Sequence, residues 1–232
     1  MKLTRYKCMI YDEDLLGRLG VFTNREDAGL KLAKACRKIF TNISYVFAIP
    51  RGGVPIAIRI AREINAKLDL VNCRKLLIPW NREAGFGAVD PEGNVYVDEV
   101  LASYLRLSEN EVKEAIEEQL NEIKLREKVL RKNKPYPNLR GLSVIVVDDG
   151  IAAGYTMQAA INFLKRLGAS KVYIAVPTCN IESTLKFCEE VDTILCLNPR
   201  TGPIFAVADA YIEWRDLTDE DVLRELESIG YN

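Results

Sequence analysis

Two adjacent carboxylates, Asp148 and Asp149, follow the branched apolar run Val144-Ile145-Val146-Val147 and precede the small-residue stretch Gly150-Ile151-Ala152-Ala153-Gly154, which leads to Tyr155 and Thr156. A run of this kind predicts a buried strand, so both acids are expected at the carboxyl edge of a sheet, where open α/β folds bind ligands. The glycine-bounded turn would feed a helix whose first N–H groups point outward and attract anions. Thr156 can add a hydroxyl donor. Acids beside an anion cradle suit a ligand that carries both hydroxyls and a phosphate, such as a sugar phosphate. The loop has no lysine, so it is not the G-x-x-x-x-G-K-[ST] nucleotide loop.

The surrounding elements are predicted from periodicity. Asn24 caps a helix to about Phe40, with Asp27 at its third position and Leu30, Ala33, Ile39 and Phe40 on its apolar face. Tyr45-Val-Phe-Ala-Ile49 reads as a strand buried on both faces, stopped by Pro50-Arg51-Gly52-Gly53, after which a helix runs from Val54 to about Ile64 and a strand from Leu68 to Asn72. Strand, glycine turn, helix and strand make a βαβ unit, and with it a parallel α/β sheet.

Residues 76 to 99 break this rhythm, with an exposed-looking Trp80, and Asp90-Pro-Glu-Gly-Asn94 predicts a hairpin turn. Ser108 and Glu111 form a capping box for a charged helix to about Arg131, stopped by Pro135 and Pro137. The α/β pattern then returns: a strand at 144–147, a helix at 155–167, strands at 172–176 and 193–197 around a short helix, and a last helix after Thr218. The expected architecture is a single α/β domain over residues 1–232. Its central, mostly parallel sheet is flanked by helices, a flexible lid or hairpin insertion spans about 76–134, and a small hood comes from about 1–22 and 198–232.

Composition narrows the chemistry. The 232 residues hold 32 Lys+Arg against 33 Asp+Glu, no His and six Cys, and 48% are apolar. A net charge of −1 argues against an electrostatic grip on nucleic acid. Without histidine there is no Ser-His or Cys-His nucleophile and no His-ligated metal, so catalysis has to be electrostatic. The scattered cysteines include no C-x-x-C pair and are read as small buried hydrophobes in a reducing cytosol. No apolar run approaches the ~20 residues of a membrane span. A soluble cytoplasmic protein is the expectation.

The segment 144–157 resembles the phosphoribosyl pyrophosphate (PRPP) signature of type I phosphoribosyltransferases: an apolar strand, two acids, and a small-residue loop ending in a hydroxyl. Ala48-Ile-Pro-Arg51-Gly52-Gly53-Val54-Pro55 is similar to the pyrophosphate loop of that family. Gly85-Phe-Gly-Ala-Val-Asp-Pro-Glu-Gly and the tail around Ala206-Val-Ala-Asp and Trp214-Arg-Asp resemble a subgroup whose acceptor is unassigned.

The resemblance implies that Asp148 and Asp149 bind the ribose hydroxyls as the catalytic acids. It also implies that they face Mg²⁺ indirectly, through PRPP or water. Gly150, Ile151, Ala152, Ala153, Gly154, Tyr155 and Thr156 would hold the 5′-phosphate, and Arg51, Gly52 and Gly53 the pyrophosphate, in a loop that often has a cis non-proline peptide. Residues 76–99 would form a mobile lid, with Lys75, Arg82, Gly85 and Gly87 as its candidates and Arg74 nearby. Phe205, Tyr211 and Trp214 could stack on an acceptor base. The implied reaction transfers ribose 5-phosphate to a nucleobase-like acceptor in nucleotide salvage, and the implied assembly is a homodimer.

Ala153 departs from the family pattern, where a threonine is common. Losing one neutral hydrogen bond costs about 0.5–1.5 kcal/mol, which weakens the phosphate grip without excluding the ligand. A PRPP-sensing protein without transfer activity is the alternative reading. A phospho-receiver domain fits less well, because it would carry its acids near the first strand.

Overall fold

Alternate residues of the central strands point to opposite cores. Val46, Ala48, Ile145 and Val147 join one apolar cluster, while Phe47, Ile49, Val144 and Val146 join another. Strands that bury both faces need helices on both sides, and this α/β chain has them.

The computed structural model describes residues 1–202 and 204–231; Pro203 and Asn232, both inside the expected hood, lie outside the described residues. The chain opens with a hairpin, β1 (Leu3–Tyr6) and β2 (Met9–Asp12). Helix α1 (Arg25–Ile39) follows, and the Asn24 side chain caps it by accepting from the N–H groups of Glu26 and Asp27. Next come β3 (Tyr45–Ala48), α2 (Gly53–Ile64) and β4 (Lys67–Leu70). The insertion contains β5 (Arg74–Ile78), β6 (Asn81–Val89), β7 (Val95–Val97), α3 (Glu99–Tyr104) and α4 (Glu109–Leu130). The Ser108–Glu111 capping box starts α4 as predicted. The second half runs β8 (Ser143–Val147), α5 (Tyr155–Arg166), β9 (Lys171–Asn180), α6 (Ile181–Leu185), β10 (Thr193–Arg200) and α7 (Asp219–Ser228).

The main sheet has seven strands in the order β1-β2-β10-β9-β8-β3-β4, parallel throughout except for the β1–β2 edge. From β3 the chain crosses to β4, and from β8 it crosses the other way to β9. Helix α2 packs in one core and α5 in the other. The reversal falls between adjacent strands β3 and β8, paired with Ala48 beside Val147. Such a switch point opens a crevice at the carboxyl ends of the strands.

The structure departs from expectation in three places. The insertion is more than a hairpin: β5, β6 and β7 form an antiparallel sheet whose Leu76, Ile78, Phe86 and Val89 bury against Ala115 and Ile123 of α4. The sequence masked this because its glycines serve close packing; a Cβ on Gly85 would lie 2.3 Å from Lys75 Cγ, and one on Gly87 would lie 2.3 Å from the Tyr96 carbonyl oxygen. Secondly, most of the amino-terminal hood is an edge hairpin of the main sheet. Among the described residues the stretch near 15–23 joins the tail, through hydrogen bonds such as Phe22 N–H to the Ala210 carbonyl at 3.0 Å.

Thirdly, Cys8 and Cys188 form a disulfide. A sequence separation of 180 gives no local spacing by which to see the pair. The other cysteines, Cys36, Cys73, Cys179 and Cys196, are buried thiols, as expected. Among the described residues, no helix is long and apolar enough to cross a membrane.

Candidate active site

Both predicted ligand loops leave the same sheet edge at the switch point. Asp148 and Asp149 follow β8, and Arg51, Gly52 and Gly53 follow β3. The two loops are in contact: a Cβ on Gly52 would sit 1.8 Å from Asp149 Oδ2, and one on Gly53 would sit 2.6 Å from the Val147 carbonyl oxygen. Only glycine allows this approach. The Pro50–Arg51 peptide is cis, in the loop where the family resemblance implies one.

After the acids the chain forms an anion cradle. Gly154 adopts φ +89, a left-handed conformation, and turns the chain into α5 without a side-chain cap. The N–H groups of Ala152, Ala153, Gly154, Tyr155 and Thr156 meet no acceptor among the described residues. Unpaired donors at a helix start are the elements of a phosphate site. Ile151 is fixed behind them, its N–H donating to the Thr178 carbonyl at 3.1 Å. Gly150 is crowded by the tail: a Cβ there would lie 2.5 Å from Val207 Cγ1.

The acids are not equivalent. Burial and the neighbouring Asp149 charge push the Asp148 carboxyl well above the usual carboxylate range. Burial also raises Asp149, against the pull of Arg25, whose Nε donates to Asp149 Oδ2 at 2.8 Å. Sequence reasoning does not single out Arg25. Its guanidinium lies 3.7 Å from the Trp214 ring centroid and donates to the Arg215 carbonyl at 2.8 Å, joining the acid pair to the hood. Only the fold brings residue 25 to residue 149, so no local motif announces it.

The aromatic candidates separate. Tyr211 is not open for stacking: it is 6% exposed, its hydroxyl donates to the Asp149 carbonyl at 2.6 Å, and its ring packs on Phe22 and Trp214. Trp214 is more open but has Arg25 over one face. Phe205 lies 4.4 Å from the buried Arg200 guanidinium.

The insertion cations are engaged within the insertion. Arg82 pairs with Glu118 of α4, and Lys75 donates to the Glu83 carbonyl. A direct tie runs from the insertion to the cradle, with the Tyr155 hydroxyl donating to Asp98 Oδ2 at 2.8 Å. Asp98 also caps α3 through the Leu101 N–H, which holds its carboxyl below the usual range. Tyr155→Phe is expected to cost about 1 kcal/mol, or roughly 2–4 °C of melting temperature by calorimetry, with the backbone cradle left in place.

Asp148 and Asp149 offer hard oxygen donors suited to Mg²⁺. Among the described residues no three His, Cys, Asp or Glu side chains gather as a metal cage. The acids therefore fit a cation carried mainly by ligand oxygens and water.

Residues 95–203 match the family model for the phosphoribosyl transferase domain. Two curated Mycobacterium tuberculosis proteins, from strains CDC 1551 and H37Rv and provisionally named phosphoribosyl transferases, are each 31% identical over 207 residues. The alignment covers 89% of this chain and 46% of theirs, so the chain spans about half the length of these relatives. The crystal structure of TT1426 from Thermus thermophilus is 29% identical, covers 89% of this chain and 98% of that one, and superposes with a TM-score of 0.70. The Trypanosoma brucei adenine phosphoribosyl transferase, solved with AMP, pyrophosphate and ribose-5-phosphate, shares the fold at 12% identity, with a TM-score of 0.50 and coverage of 97% and 98%. The matched segment holds the acid pair and the cradle, and the matched folds extend over the rest, so the chain carries a phosphoribosyl transferase domain and resembles the type I phosphoribosyltransferases in fold.

Proposed function

We propose that the protein transfers ribose 5-phosphate from PRPP to a nucleobase-like acceptor, with Mg²⁺, releasing pyrophosphate. One observation carries this reading: an acid pair at the switch point, flanked on one side by an uncapped helix start with free N–H groups and on the other by the Gly52-Gly53 loop. The three parts match the hydroxyl, phosphate and pyrophosphate groups of one ligand.

In this reading the N–H groups of Ala152 to Thr156 hold the 5′-phosphate, and the Thr156 hydroxyl adds a donor. Asp148 and Asp149 accept from the ribose hydroxyls and set a negative potential beneath the anomeric carbon as positive charge develops there. Arg25, whose Nε donates to Asp149 Oδ2, favours the ionised form of that carboxyl and aligns it. The backbone of Arg51 and Gly52 takes the pyrophosphate. Mg²⁺, bound through ligand oxygens, would neutralise the leaving group. The insertion, tied to the cradle through Tyr155 and Asp98, would limit water, which competes with the acceptor. A homodimer in the cytoplasm, engaged in salvage of a free base, completes the proposal.

A second reading, a PRPP sensor without transfer, is favoured by one observation: Tyr211 is buried and Arg25 covers a face of Trp214, which leaves little open aromatic surface for a base. Calorimetric titration with PRPP and Mg²⁺, followed by a pyrophosphate-release assay across purines and pyrimidines, decides between them. Micromolar binding with release supports the transferase, and binding without release for any base supports the sensor. Folded protein that binds neither PRPP nor ribose 5-phosphate would sink both.

A further inference from the structure

Three arginines from distant parts of the chain gather beside the pyrophosphate loop, and among the described residues the side chains of two, Arg51 and Arg126, have no hydrogen-bond partner. Arg126, on α4, is 4% exposed and donates no hydrogen bond to any described residue; its Nε is a buried orphan. Its nearest counter-charge is Asp219, at the start of α7, with Oδ1 3.4 Å from Arg126 Nε and 4.0 Å from Arg51 Nε. That carboxylate oxygen is itself without a hydrogen bond. Arg74 Nε donates to Gln119 Oε1 at 3.1 Å, while Nε2 of Gln119, a residue 1% exposed, has no acceptor.

Buried donors without acceptors are costly, and a guanidinium costs more than an amide. Arg126 responds in the expected direction: burial and the nearby Arg74 and Arg51 charges lower it to about 10, against the pull of Asp219. Arg74 is lowered too, first by burial, while Glu122 pulls the other way and Arg51 adds to the fall. Asp219 lies at ion-pair distance from Arg126 and Arg51 but accepts no hydrogen bond from any of these donors among the described residues. A phosphoryl group has the charge and the oxygens to accept from both guanidiniums and from the Gln119 amide at once.

We propose that Arg126, Arg74 and Gln119, reaching in from the insertion, complete the pyrophosphate site beside Arg51, and that Asp219 is a placeholder carboxylate displaced when the ligand's pyrophosphoryl group enters. The inference rests on the PRPP reading and deepens it: α4 supplies part of the leaving-group site, and α7 carries a competitor for it. Arg126 is 4% exposed on α4, so its position is fixed before the ligand arrives.

The test is calorimetric titration of Mg-pyrophosphate, inorganic phosphate and ribose 5-phosphate into wild type, Arg126→Gln and Asp219→Asn. Arg126→Gln is expected to lose about tenfold or more in pyrophosphate affinity while ribose 5-phosphate stays within about twofold, since that ligand uses the other cradle. Asp219→Asn is expected to tighten pyrophosphate binding by about threefold or more, because a competing charge is removed. Unchanged pyrophosphate affinity in folded Arg126→Gln, or equal losses for both ligands, overturns the proposal. Should that variant misfold, Asp219→Asn decides alone: no gain for pyrophosphate overturns it. A site that takes inorganic phosphate as tightly as pyrophosphate would be a separate phosphate site, which also overturns it. Wild type that binds ribose 5-phosphate and PRPP while these variants fail the test leaves the transferase reading standing; wild type that binds neither removes that reading first.

Discussion

Asp148→Asn is expected to stabilise the ligand-free protein and to destroy its affinity for PRPP. In the free fold the Asp148 carboxyl is raised by burial and by the Asp149 charge beside it. A carboxyl whose folded value lies above its unfolded value of about 3.9 favours the folded state at low pH, and that contribution is lost as pH rises through the folded value. Ionising the pair is therefore a cost in the folded state, and an uncharged isostere at position 148 removes it. The expected gain is about 1–2 kcal/mol, or roughly 3–6 °C in melting temperature. The wild-type melting temperature should fall as pH rises through the raised folded value of Asp148, and the variant's should fall less. Binding moves oppositely, because an amide is a poor substitute for an ionised acceptor facing ribose hydroxyls; the expected loss is about 10- to 100-fold. Scanning calorimetry and ligand titration on the same samples check both signs. A variant less stable than wild type at neutral pH would show that Asp148 is held by interactions rather than strained by them.

Gly53→Ala carries the other large effect, through sterics instead of charge. The added methyl would lie 2.6 Å from the Val147 carbonyl oxygen and 3.0 Å from Asp148 Cα, both main-chain atoms of the neighbouring strand and its acid loop. Neither can swing aside as a side-chain tip would. The turn after β3 must move away from β8, widening the crevice at the point where the two ligand loops meet. Overpacking of this kind costs about 1–3 kcal/mol, so the melting temperature should drop by roughly 3–10 °C. PRPP affinity should fall as well, since the pyrophosphate and ribose contacts can no longer be made together. Native stability with native affinity in Gly53→Ala would mean that the loops are not in register when ligand binds.

The parts of this protein governed by local rules were legible in its sequence. The Asn24 cap, the Ser108–Glu111 capping box, the Asp90–Asn94 turn and the strand ending at Val147 depend on neighbours within a few residues, and each lies where it was expected. The three-stranded insertion sheet was obscured because Gly85 and Gly87 suggest a loose loop, whereas they serve close strand contact. Tyr211 carried a stacking role on its residue type alone, and the structure uses its hydroxyl to hold the Asp149 backbone. Arg25, Arg126 and the Cys8–Cys188 pair depend on contacts across 124, 93 and 180 positions, to Asp149, Asp219 and each other, and no spacing rule reaches that far. The same distance limit explains why the ligand loops could be named while the groups that hold them in place could not.

The disulfide between Cys8 and Cys188 turns most of the chain into a covalent ring. Both ligand loops, the whole insertion and the switch point lie inside it. A single backbone cut at the exposed tip near Trp80 would open the ring without releasing any fragment. The nicked molecule would keep its mass until a reductant separates the pieces, and its two halves of the crevice would remain at high effective concentration for each other. In this protein, backbone continuity and the integrity of the ligand crevice are separate properties.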